Sequence, residues 1–228
     1  KGKGYSILAI TDHEAPGNHS YLNDDEFLTI TGYETYIRPS KDCVYDVYNK
    51  EIHINLFAKN PENEALGCCN PKYCKYVSEE KKKAYKNVGS QKTREYSTEY
   101  INELIRTANE NGYIAALNHP WWSMESEADT LAYEGFFSME MCNYGAYLIS
   151  RLEYNAALYD KMLLSGKRIF CHSTDDNHNA SPEGAPDFDS FGAFTMIMAK
   201  DFSNSLNLPK TEFPMRANLP QNEPKTLD

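Results

Sequence analysis

No stretch of this chain approaches the ~20 consecutive apolar residues that a bilayer-spanning helix needs, so a membrane-embedded protein is not expected. Positive charge is scarce: 23 Lys and Arg stand against 33 Asp and Glu, for a formal net charge of -10. A protein that grips a phosphate backbone needs clustered cations to displace counterions, so duplex nucleic acid is not an expected partner. A small anionic substrate stays open, because a bound divalent ion can reverse the local field of an acidic site. There is no Gly-rich phosphate loop and no G-x-S-x-G turn, which leaves nucleotide-dependent transfer and serine hydrolysis without support. Cys-x-x-Cys pairs are missing too, and GCCNPKYC, with Cys68, Cys69 and Cys74, has no second knuckle to complete a zinc site. Adjacent cysteines in a chain of this length suit a disulfide framework poorly, so reduced thiols in a cytoplasmic protein are expected. Lys1 is not an initiator Met, and an upstream segment is expected.

What is present fits one globular domain. The 228 residues can bury a core of their own, and 41% apolar with 25% charged residues argues against both disorder and a fibrous repeat. YSILAITDH places an apolar run before Asp12 and His13, as a buried parallel strand would. In FLTITGYE, Phe27 to Ile30 form a second short run, broken at Gly32 and followed by Glu34. IHINLFA at 52–58 is a third strand with His53 near its start. Residues 61–97 are polar, and EEKKKAYK reads as a solvated face of an insertion without a catalytic role. Ser97 caps a helix that runs to Asn111, with Ile101, Leu104, Ile105 and Ala108 on one face. YIAALNHP gives a strand ending at His119, and FFSMEMCN gives another. Ala146 to Ser165 reads as one long helix. RIFCHSTDDNH is a strand that ends in Asp176 and His178, and FGAFTMIMAK is a seventh strand. Strands alternating with helices predict a parallel α/β domain over 1–203, and Pro209, Pro214, Pro220 and Pro224 mark 204–228 as an extended arm.

Four of the six histidines, His13, His53, His119 and His178, fall at or beside strand ends. Taken singly, each is an ordinary turn or surface residue: TDH could be a capped turn and DDNH a solvated loop. Taken together they argue for a metal site, since loops after parallel strands converge on one face. Imidazole with carboxylate suits zinc, manganese or iron better than calcium.

In their order, AITDH at 9–13, GYE at 32–34, IHINLF at 52–57, NHPWW at 118–122 and STDDNH at 173–178 resemble the motifs of the PHP (polymerase and histidinol phosphatase) metallohydrolases. HPWW and FGAFTMIMAKDFS are most similar to the carbaryl-hydrolase-like branch. The resemblance spans about residues 5–203. It implies a distorted (β/α)7 TIM-like barrel of the PHP type, incomplete at the N-terminus, because the His-x-His that opens family members is absent. It also implies two or three divalent ions held by His13, Glu34, His53, His119, Asp176 and His178, with Glu34 bridging. Asp12, His119 and Asp176 would be catalytic, and the implied substrate is small, a phosphoester above all. Arg38 and Lys41, which follow the Glu34 strand, read either as a grip on a substrate anion or, by default, as exposed loop cations. The implied activity is that of a metal-dependent phosphoesterase. The alternative is a noncatalytic, metal-stabilised binding module derived from the same fold.

Overall fold

The computed structural model describes residues 2–39, 50–67, 71–179 and 181–197. In chain order the elements are β1 (Ile7–Ile10), β2 (Leu28–Ile37), β3 (Ile52–Ala58), β4 (Leu66–Gly67), α1 (Glu79–Ala84), β5 (Asn87–Val88), α2 (Thr98–Glu110), β6 (Tyr113–Leu117), α3 (Glu127–Ala132), β7 (Ser138–Asn143), α4 (Tyr144–Ser150), α5 (Ala156–Leu164) and β8 (Phe170–Thr174). Six strands form one curled sheet in the order β1-β2-β3-β6-β7-β8, and β4 pairs with β5 in a separate ribbon.

The expected (β/α)7 barrel is not what forms. β3 runs antiparallel to both neighbours while the other five strands share one direction, so the sheet is mixed. β1 and β8 end the order as separate edges, which leaves a half-barrel rather than a closed one. Helices are few for a physical reason. The β1–β2 connection carries Pro16, Gly17, Asn18 and Asn23, has no apolar periodicity, and makes only a 3-10 turn at Ser20–Leu22. The Ala146–Ser165 helix is also divided. Arg151 takes a left-handed φ of 62°, and the break turns Glu153 and Asn155 inward, where they are buried. Gly32 does not end a strand: β2 continues through it, so Glu34 lies within the strand. The described part of the seventh strand, residues 191–197, is not extended sheet. Lys41, Cys68, Cys69 and the 204–228 arm lie outside the described residues.

The core packs against the middle of the sheet. On β2 and β3, Tyr33, Ile37, Ile52, Ile54 and Leu56 face one side and are fully buried. The apolar stripe of α2 (Tyr100, Ile101, Leu104, Ile105 and Ala108) packs there with Tyr113 and Leu117. That helix begins as the sequence dictates, with Ser97 Oγ accepting from Tyr100 N. Since side chains alternate along a strand, Glu34 and Tyr36 project from the opposite face.

Candidate metal centre

Reversal of β3 builds the site. In a parallel strand, His53 would sit at the end remote from Glu34 and His119. Running antiparallel, β3 brings its start beside the far end of β2, with Tyr36 opposite His53 and Glu34 opposite Asn55. β6 pairs along the other side and hands on to Asn118, whose N–H donates to the His53 carbonyl, and then to His119.

Glu34 is the hub. His53 Nδ1 lies 3.2 Å from its Oε1, His13 Nδ1 3.3 Å from its Oε2, and His119 Nε2 3.5 Å from Oε1. The Asn118 amide donates to Oε1 at 2.6 Å. One ligand atom each from Glu34, His53 and His119 lie within 4.8 Å of one another, and all three residues are buried. Asp176 Oδ2 stands 4.0 Å from His119 Nε2, and His178 Nδ1 is 3.9 Å from Asp176 Oδ1. The His13 and His178 ring centroids are 6.0 Å apart, and His178, 57% exposed, has its Nδ1 2.8 Å from the Asp176 main-chain oxygen, so it stands outside the Glu34, His53 and His119 group.

Asp12 enters differently. Its side chain is exposed and its main-chain carbonyl accepts from Glu34 N at 3.2 Å. Arg38 is 62% exposed, packs over the Tyr36 ring and pairs with Glu51 at the rim.

Electrostatics follow from burying a carboxylate among imidazoles. Burial alone would raise Glu34, but His53 and His119 outweigh it and hold the carboxyl well below its usual range. Burial would likewise lower His53, yet Glu34 and Glu51 raise it to about 10. His119 is raised in the same way, chiefly by Glu34 against burial. Glu34 and the two imidazoles thus favour one another's charged forms.

Several supporting residues carry no local sequence signal. Glu140, on β7, accepts from His119 N at 2.7 Å and from the Asn143 amide at 3.0 Å, and Thr174 also donates to it. Burial pushes it up to about 7, with His119 opposing the rise and Asp176 adding to it. Asn143 reaches Asp176 Oδ2 at 3.1 Å while its own oxygen caps α4. Glu153 accepts from Trp122 N at 2.7 Å and so holds the ring that packs edge-on against His53 and His119. The backbone is unusual here too, with a positive φ of 23° at His119 and a left-handed 51° at Asp176.

The donor set of Glu34, His53 and His119, one carboxylate and two imidazoles, all buried, fits a borderline transition metal. His13 Nδ1 is a buried atom without a hydrogen bond of proper geometry among the described residues, and His53 Nε2, likewise without one, lies 3.5 Å from Glu51 Oε1.

No family model matches the chain. A 27-residue stretch, 12% of this chain, is 70% identical to part of the isoleucine-tRNA ligase of Moorella thermoacetica and covers 3% of that enzyme. The corresponding ligase of Coxiella burnetii is 67% identical over 27 residues, again 3% of its length. So short a likeness carries neither a fold nor an activity to this chain. Among the described residues, no helix is long and apolar enough to cross a membrane.

Proposed function

We propose that this protein is a metal-dependent hydrolase of PHP type, acting on a small phosphoester. The observation that supports it is the convergence of Glu34 on β2, His53 on β3 and His119 just after β6, with His13, Asp176 and His178 around them. These residues would hold zinc, manganese or iron. When bound there, an ion would supply Lewis acidity, easing the ionisation of water near neutral pH and offsetting charge on a phosphoryl oxygen.

The chain's own groups would do the rest. Glu34 supplies negative charge at the centre and keeps the imidazoles aimed at one point. His119 is fixed through its N–H by Glu140 and at Nδ1 by Ser123, 3.1 Å away, so its Nε2 keeps one direction. Asp176, 24% exposed and held by Asn143, is placed to take a proton on the solvent side of the cluster. Trp122 and Tyr36 wall His53 and limit water behind it. Arg38 offers a cation at the rim for an anionic substrate.

The test is metal analysis of the protein with assays on phosphomonoesters and phosphodiesters, before and after chelation. Bound metal, chelator-sensitive hydrolysis and its loss in His119→Ala and Asp176→Asn are expected. No bound metal, with hydrolysis unchanged in both variants, would sink the reading.

A further inference from the structure

Arg94 belongs to the polar 61–97 insertion, yet its side chain is only 5% exposed. It grips the Glu14 carboxylate with two nitrogens, Nη1 to Oε1 at 2.7 Å and Nη2 to Oε2 at 2.6 Å. The same guanidinium donates to Tyr36 O at 2.6 Å and Thr35 Oγ1 at 3.0 Å, and lies 4.2 Å over the Tyr73 ring. Glu14 in turn accepts from Thr35 Oγ1 at 3.0 Å and Tyr36 N at 3.2 Å. One cation thus pins together the turn after β1, the end of β2 and the insertion.

A buried ion pair is a poor source of stability, because desolvation consumes most of the attraction. Its value here is geometric. Glu14 follows His13 directly, takes a left-handed φ of 57° and donates its N–H to Glu34 O at 2.7 Å. His13 is 34% exposed, whereas His53 and His119 are packed by Trp122 and the strands. It is therefore the imidazole around Glu34 that most needs its backbone held. Tyr36, whose ring edge meets His13 at 6.2 Å, is fixed by the same guanidinium.

We propose that Arg94 is a positioning residue for His13, so that the insertion sets how tightly the centre holds its divalent ion. This rests on the metal-centre reading above. The experiment is zinc affinity of the whole chain, read by competition with a chromophoric chelator, in a double-mutant cycle. Arg94→Lys keeps the charge but loses the two-pronged grip, and is expected to weaken zinc binding about ten-fold. In a His13→Ala background the same change should have no further effect. Ile101→Val in the α2 core, a comparable packing defect away from the site, should leave affinity alone. Should Arg94→Lys fail to fold, the neutral pair Arg94→Met with Glu14→Met carries the same comparison. Wild-type affinity in a folded Arg94 variant, or an equal loss with and without His13, overturns the proposal while the metal centre stands. A wild-type protein that binds neither zinc nor manganese overturns both.

Discussion

The Glu34 carboxylate is surrounded by His13, His53, His119 and the Asn118 amide, and removing its charge leaves three imidazoles facing a neutral group. Glu34→Gln is expected to weaken zinc binding by about 100-fold and to lower metal-free stability by about 2 kcal/mol, read by chelator competition and urea unfolding. A second prediction concerns His172, whose ring nitrogens are buried and whose pKa burial pushes down to about 4. The folded ring stays neutral where the unfolded chain, titrating near 6.5, takes up a proton. Stability should therefore fall as pH drops from 6.5 to 4, by at most about 3 kcal/mol, and His172→Leu should flatten that part of a urea-midpoint profile. At this scale the sequence is half legible. Glu34, His119 and Asp176 stand out because metal-type side chains beside apolar runs are conspicuous. Glu140, Asn143 and Glu153 do not, since nothing local separates a buried carboxylate or amide from an exposed one. Arg94 and Glu14 meet across 80 positions, a distance that charge patterning along the chain does not report.

Among the elements, β3 matters most. Apolar periodicity locates a strand but is silent on its direction, and the direction decides whether His53 reaches Glu34. β1, β3, β6 and β8, and α2 with its Ser97 cap, lie close to where their patterns place them, whereas β2 runs on past Gly32 and no strand forms at 191–197. The long helix fails because its inward-turning polar residues, Glu153 and Asn155, are invisible to hydrophobic spacing. Two glycines test the element contacts. A Cβ at Gly32 would stand 2.8 Å from Leu56 O, where β3 crosses closest, so Gly32→Ala should cost about 2 kcal/mol in thermal or urea unfolding. A Cβ at Gly145 would meet Asp176 O at 3.0 Å and Asp175 O at 3.2 Å. Gly145→Ala should therefore shift the Asp176 turn and lower turnover about ten-fold while the unfolding midpoint changes little.

For the whole molecule, the centre ties β2, β3 and β6 to the turn after β8, and any ion that binds only the folded form stabilises all of it. At zinc concentrations 100 times the dissociation constant, unfolding should become about 2.7 kcal/mol harder, and a chelator should reverse the gain. A flat response of the thermal midpoint to zinc would contradict this linkage. The reversed β3 also shortens the loop that the first pair of donors has to close. Glu34 and His53 are only 19 positions apart on neighbouring antiparallel strands, a contact with little loop to close, whereas Asn118 reaches Glu34 across 84. A nascent or refolding chain can thus present a two-donor half-site long before Asp176 and His178 are available. An ion captured there would act as a template around which the later strands dock.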